Sequence, residues 1–307
     1  MSSMTSAVLA VLRWKPVRWT LLSLVGVVLA AIATLYGASS WRLSETYERP
    51  TIVLRSTGHV SAERGERLAA MLSCKGCHGA HGRVFLDAPN VAHLIAPDLA
   101  RVAATYSDDE LAVLIRAGIK RDNTSLLIMP AGSFSSLADS ELADVIAWLR
   151  ALKPEAETET GETSFGPIGR FILLSGPWFS AAAPRDPAPP VVVPTETQAH
   201  GNYLFKTACT HCHKLDEERE LAPGEFAPPL RAMAQGYDLT QFTHLLRTGK
   251  AIGDRELGLM SRVARSGYSR LTDEEIAAIH AYLNAPVEPA ASDAATSKKP
   301  TGEATGQ

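Results

Sequence analysis

The apolar residues of this chain follow two patterns. From Trp19 to Trp41 they run without a charge, and nine Leu, Ile and Val residues fall between Leu21 and Leu35. A run of that length predicts a helix able to cross a bilayer core. At about −0.3 to −0.6 kcal/mol for each of the nine, insertion is favoured by roughly 3–5 kcal/mol before the polar residues subtract. Beyond this run the pattern becomes striped. Leu142, Val145, Ile146 and Leu149 recur at i, i+3, i+4 and i+7, as do Ile276, Ile279, His280 and Leu283. Each set is one apolar face of a helix. No alternating strand pattern of useful length is present. The expected class is therefore all-α, an N-terminal transmembrane helix followed by two small helical domains.

The striped regions belong to a repeat. Ser107 to Gly118 (SDDELAVLIRAG) and Asp238 to Gly249 (DLTQFTHLLRTG) lie 131 residues apart. Each opens with a capping-box pattern, Ser107 with Glu110 and Asp238 with Gln241. Pro97 and Pro228 share that offset, as do Met129 and Met260. The closing helices repeat at an offset of 134, with Trp148 answering to Tyr282. The second begins on the capping box Thr272 to Glu275. The first has Ala138 at the cap position and must manage with Asp139 or Ser140. The repeat units are expected at 56–153 and 195–287, joined by a linker at 154–194. The linker contains an apolar stretch, Phe165 to Phe179, expected to pack on a domain or touch the membrane surface. It ends on Ala188-Pro189-Pro190, which should be extended, and is expected to leave the two units nearly independent. Residues 1–44 are read as a cytoplasmic N-terminus and anchor, and 288–307, small, polar and charged, as a disordered tail.

Charge orients the chain. Arg13, Lys15 and Arg18 precede the apolar run and only Arg42 follows closely. The positive-inside rule then puts the N-terminus in the cytoplasm and everything after residue 42 outside. The alternative is a cleaved signal peptide with Ala38-Ser39-Ser40 at the cleavage point. Either way the bulk of the chain is exported, which places it in the periplasm of a cell bounded by an inner membrane. A net charge of −3 lacks the basic footprint of a nucleic-acid binder.

The candidate chemistry rests on four cysteines in two pairs. Each pair is C-x-x-C followed at once by histidine: Cys74-Lys75-Gly76-Cys77-His78 and Cys209-Thr210-His211-Cys212-His213. This is the attachment pattern of haem c. On one helical turn both thiols can reach the vinyl groups of one porphyrin, and the adjacent histidine points at the iron from the same side. A tethered ring also supplies core that so small a domain could not otherwise build. A second iron ligand must come from a later segment that wraps over the ring. Met129 and Met260 each lie 32 residues past their proline and before the closing helix. Met71 is on the attachment helix, on the wrong face, and Met233 follows Pro228 too soon. Thioether with imidazole raises the haem potential, which suits an electron carrier. The expected set is Cys74, Cys77, His78 and Met129 for one haem, and Cys209, Cys212, His213 and Met260 for the other. The iron ligands are His78, Met129, His213 and Met260, and no catalytic residue is expected.

Other readings of the same residues are weaker. Half a zinc site is possible for any C-x-x-C, yet the two halves here are 135 residues apart. A redox dithiol expects a βαβ context that is missing. His280, on an apolar stripe, reads as a core histidine with a hydrogen-bond partner. His211 is expected to be exposed, and His93 and His244 are minor rivals as sixth ligands. Arg116 and Arg247 share the repeat register and could each meet a haem propionate or simply end a solvated helix.

Taken together, Cys74 to Gly79, Pro97, Met129-Pro130 and Leu142 to Leu149, then Cys209 to His213, Pro228, Met260 and Ile276 to Leu283, resemble tandem class I cytochrome c domains behind an anchor. Gly201 and Phe205, eight and four residues ahead of Cys209, match the family's pattern for close contact between first and last helices. The first unit departs from it, with Gly65 nine residues ahead and Ala70 in place of the aromatic. The resemblance implies two covalently bound haem c groups, an edge-exposed haem in each small helical domain, and electron transfer. It also resembles the cytochrome subunits serving periplasmic dehydrogenases and the anchored dihaem subunit of haem–copper oxidases. The expected partners are therefore redox proteins (a dehydrogenase or quinol-linked donor, an oxidase or another cytochrome) and the membrane, with no small-molecule substrate. The competing enzyme reading is a dihaem peroxidase-like protein, which needs a labile sixth ligand.

Overall fold

A computed structural model of the chain describes residues 15–55, 58–154, 161–176, 190, 192–222 and 224–286. The first fourteen residues, most of the Pro-rich end of the linker and the expected tail 288–307 lie outside the described residues.

Helix α1 (Lys15–Leu43) is 29 residues long with mean hydropathy 2.2 in its most apolar window, none of which is buried against the protein. By length and composition it can cross a membrane; a signal sequence meets the same test. Its two threonine hydroxyls are satisfied within the helix, Thr20 donating to the Pro16 carbonyl and Thr34 to that of Ala30, as an apolar solvent demands. The segment after α1 lies along the first unit, where Tyr47 donates its N–H to the Asn123 carbonyl at 2.9 Å and Ile52 and Leu54 pack on the core.

The first unit comprises α2 (Ala62–Met71), α3 (Cys74–His78), the hairpin β1 (Arg83–Ala88) and β2 (Ala92–Ala96), α4 (Leu99–Thr105), α5 (Asp108–Ala117), α6 (Ala131–Phe134) and α7 (Asp139–Ala151). Strand β3 (Ser164–Phe165) and helix α8 (Pro167–Ser175) follow. The second unit repeats the plan: α9 (Thr197–Leu204) runs into a π-helical turn (Phe205–Cys209), then β4 (Arg219–Ala222), β5 (Glu225–Ala227), α10 (Leu230–Ala234), α11 (Leu239–Thr248), β6 (Lys250–Ala251), β7 (Arg255–Glu256), α12 (Leu259–Ser266), a 3₁₀ turn (Tyr268–Arg270) and α13 (Asp273–Leu283). The class is helical, as expected, with short antiparallel sheets added: β1-β2-β3, β4-β5 and β6-β7. A hairpin follows each attachment segment. These strands escape the sequence pattern because β1, β5 and β7 are mostly solvent-exposed and too short to alternate.

In each unit the first helix crosses the closing helix at a glycine. A Cβ on Gly65 would lie 1.9 Å from the Asp144 carbonyl oxygen and 2.8 Å from the Trp148 Cβ. One on Gly201 would lie 2.1 Å from the Ala278 carbonyl oxygen and 2.6 Å from the Tyr282 Cβ. Gly65 thus does the same work as Gly201 despite its extra residue of spacing. The extra residue is absorbed where α2 stops and α3 restarts, through Ser73 at φ 59°, whereas the second unit runs on through its π turn. Phe205 packs on Tyr282 with ring centroids 5.8 Å apart. At Ala70 there is no ring. The buried Trp148 stands in the crossing, and the backbone of Gly267, from the second unit, comes against the Ala70 carbonyl.

The units are not independent, contrary to the expectation from the linker. Their apolar cores merge into one cluster running from Leu68 to Leu283. The contact is reciprocal. The segment after Met129 meets the second attachment segment, Ser133 and Thr210 hydroxyls lying 2.9 Å apart, while Gly267, after Met260, meets the first unit's α2. The closing helices are tied across the same boundary. Arg67 holds both carboxylate oxygens of Glu275 at 3.0 and 2.8 Å. The Tyr203 hydroxyl accepts the Ala138 N–H at 2.9 Å and donates to Glu141. The capping boxes expected at Ser107, Asp238 and Thr272 all form. At Ala138 the missing cap comes from the other unit: Tyr203 bridges the cap N–H to the third-position Glu141, and neither Asp139 nor Ser140 takes the role.

Candidate functional site

Cys74, Cys77 and His78 sit on the single turn α3. Cys209 ends the π turn, and the Cys212 and His213 N–H groups both donate to its carbonyl, at 3.1 and 2.9 Å, so the second triplet also shares one turn. The repeat prolines acquire a role that the sequence left open. His78 Nδ1 donates to the Pro97 carbonyl at 2.8 Å, and His213 Nδ1 donates to the Pro228 carbonyl at 3.0 Å. A carbonyl can only accept, so the proton lies on Nδ1 and the Nε2 lone pair is free. That is how a metal-ligating histidine is oriented and kept basic. Burial lowers both imidazoles below their ordinary value, against the pull of the carbonyl bond, so both are neutral at pH 7 and able to ligate.

The thiols are shielded. Burial pushes Cys74 and Cys209 up to about 12 and raises Cys77 and Cys212 as well. A thiol–disulfide exchanger needs the opposite shift. Among the described residues no group of three or more His, Cys, Asp and Glu side chains forms a metal-ion site. Two thiols and a free imidazole nitrogen on one turn fit a haem c. Cys77 is near enough to oppose ionisation of Cys212, so the two attachment segments are neighbours.

Met129 and Met260 are both half-buried and pack on the same core as Cys74 and Cys209. Met129 lies in the loop before α6. Met260 departs from the expected loop and is the second residue of α12, after Gly258 at φ 57°. Exposed Ile128 and Leu259 flank them, apolar surface of the kind a porphyrin edge would cover. Met71 is fully buried in the core, away from any ligand role.

Other expectations resolve in the same way. His280 Nε2 bonds the Tyr237 carbonyl at 2.9 Å and packs on Phe242, the core histidine its stripe suggests. His211 is half-buried rather than exposed, with burial lowering it to about 4. His93 pairs with Asp87 across the β1–β2 hairpin, and His244 lies by Asp254. Arg116 and Arg247 meet neither attachment segment. Arg116 is buried against Asp139 at 2.8 Å and the Leu137 carbonyl at 2.5 Å. Arg247 bonds Asp273 and the Ser269 carbonyl. Both fasten the middle helix to the start of the closing helix. The cations beside the cysteines are Arg83 and Arg219, which open β1 and β4. Arg83 pulls Cys77 downward and Arg219 pulls Cys212 and His213 downward. They follow their histidines by five and six residues, a near-repeat outside the helical stripes.

A family model described as Cytochrome c matches residues 62–153 and 198–285, more than half of the chain. The chain belongs to the cytochrome c family. A search of curated proteins returns no match. Cytochrome c domains carry covalently bound haem c and transfer electrons, and the two matched regions coincide with the two repeats of the fold.

Proposed function

We propose that this cytochrome c is a membrane-anchored dihaem electron carrier. One haem c is held by Cys74 and Cys77, with His78 and Met129 as iron ligands. The other is held by Cys209 and Cys212, with His213 and Met260. The observation that carries the reading is the pair of histidine-to-proline-carbonyl bonds, which leave the same ring nitrogen free in both units. Bound haem supplies a one-electron Fe(III)/Fe(II) couple. The chain orients the imidazoles and offers neutral sulfur from the methionine segments. The domain boundaries are taken as 56–153 and 195–287. The reciprocal contact between the units, more than the linker, sets the separation of the two haems, so the chain forms a short wire.

The anchor reading has structural support. Arg170, on α8, donates to the Ser39 and Ser40 hydroxyls at 2.8 and 3.1 Å and stacks over Tyr36 at 4.5 Å. Cleavage near Ala38-Ser39-Ser40 would strip these partners away, which supports a retained anchor. The haem domains then face the periplasm, and electrons pass from a dehydrogenase or quinol-linked donor to an oxidase or other acceptor.

The test combines mass and ligand binding. The intact denatured chain should exceed its polypeptide mass by two haems, and the reduced protein should resist carbon monoxide at neutral pH. One haem or none would refute the dihaem assignment. Ready carbon monoxide binding with peroxide turnover would favour the peroxidase-like alternative.

A further inference from the structure

Helix α8 has an apolar face that nothing among the described residues covers. Ile168, Phe171 and Leu174 are 52%, 64% and 44% exposed. Three-residue spacing keeps them on one side. The opposite side is fixed. Gly169 is buried against the Val91 carbonyl, and Leu173 is 4% exposed in a cluster with Ala92, Leu94 and Phe165. The helix's one charge, Arg170, is turned onto the end of α1.

The position of that contact identifies what meets the bare face. Trp19 and Trp41, 64% and 78% exposed, stand near the two ends of α1. They are roughly 33 Å apart at 1.5 Å per residue, close to the thickness of a hydrocarbon core. Tryptophans at such ends mark the two membrane interfaces. Arg170 grips Tyr36, Ser39 and Ser40, within about a turn of Trp41. An α1 that spans the bilayer therefore carries α8 to the outer interface. We propose that α8 lies in the outer leaflet's interface, with Ile168, Phe171 and Leu174 among the acyl chains.

The inference rests on the anchored reading above. The occupant is the lipid surface, because the face lies on a helix docked against the outer end of the anchor and bears no charge to recruit an acidic or basic protein. For the same reason the contact does not depend on anionic lipid; it is apolar burial of an interfacial helix. Its consequence is orientation. α8 follows β3, which pairs with β2 at Phe165 and Ala92, and its Ile168 N–H donates to the carbonyl of Asn90 in the β1–β2 turn at 3.0 Å. Strand β2 leads directly into Pro97, whose carbonyl holds His78. A single spanning helix leaves a domain free to swing; a second foot on the membrane holds the first haem unit at one attitude to it.

The test uses the full holoprotein in phosphatidylcholine proteoliposomes, with a nitroxide on Phe171→Cys, on Val28→Cys within α1, or on Glu218→Cys. At 171 and 28, dissolved oxygen should relax the label several-fold more than a water-soluble nickel chelate does. At 218 the order should reverse. Adding anionic lipid should leave the 171 result unchanged. A label at 171 that follows the nickel chelate, or is shielded from both reagents, while 28 reads as lipid, overturns the proposal and leaves the anchor intact. If 28 also reads as water, the anchor reading fails and the proposal falls with it.

Discussion

Tyr203→Phe is the most informative single change, because it removes one oxygen from the second unit and should be felt in the first. The hydroxyl is the acceptor for the Ala138 N–H and the donor to Glu141. Ala138 is fully buried and Tyr203 is 5% exposed, so water cannot replace it. Stranding a buried N–H costs about 1–3 kcal/mol, and the lost hydroxyl–carboxyl bond about 0.5–1.5 kcal/mol while Glu141 is protonated. The expected loss near pH 6 is about 2–4 kcal/mol. Hydrogen exchange followed by mass spectrometry reads where it falls. The amides of α7, 139–151, should exchange roughly 30- to 1,000-fold faster, provided that they open together with the cap. A denaturant midpoint lowered without a change in slope would confirm that the native state alone is affected. If α7 exchange is unchanged, or if only α9 and its neighbours respond, the cross-unit cap contributes nothing and the two units behave as separate bodies.

Three further outcomes follow from the same geometry. Burial raises the Glu141 carboxyl to about 7, with Glu275 and Asp144 adding to the rise and Tyr203 and Arg67 opposing it. The folded state therefore holds this proton more tightly than the unfolded one. The stability it contributes is present below the free value of 4.5 and is lost as pH rises through about 7, at up to about 1.4 kcal/mol per pH unit. Unfolding titrations should show that fall, and Glu141→Gln should flatten it. Gly65→Ala and Gly201→Ala should each destabilise by about 1–3 kcal/mol through overpacking at the helix crossing, whereas Gly132→Ala, with nothing within 4 Å of its Cβ, should stay within about 1 kcal/mol of wild type in the same denaturant series. Met129→His should keep its iron six-coordinate and lower that potential, since imidazole favours Fe(III) more than thioether does; Met129→Ala should open the site to carbon monoxide. Redox titration with carbon monoxide difference spectra checks both, and no change at Met129→Ala would remove that residue from the ligand set.

Much of this protein is written locally. The attachment turns, the apolar stripes, the capping boxes at Ser107, Asp238 and Thr272 and the uncharged run of α1 depend on residues within a few positions of one another. Helical periodicity and the reach of a cysteine thiol therefore suffice to read them, and repetition then locates the prolines and methionines. What the tertiary structure alone decided involves partners far apart in sequence. The Pro97 and Pro228 carbonyls are backbone groups, so no side-chain pattern reveals that they hold the histidines. Arg116 resembles a ligand-facing cation until burial pairs it with Asp139. Ala138 lacks a cap in its own sequence because Tyr203, 65 residues later, supplies one. The apolar stretch after Phe165 could have packed anywhere; Gly169 against Val91 and Arg170 against Ser39 determine where it does. Local hydrogen bonding leaves a period in the sequence, whereas a contact between distant segments leaves none, because only the closed core brings the two groups within reach.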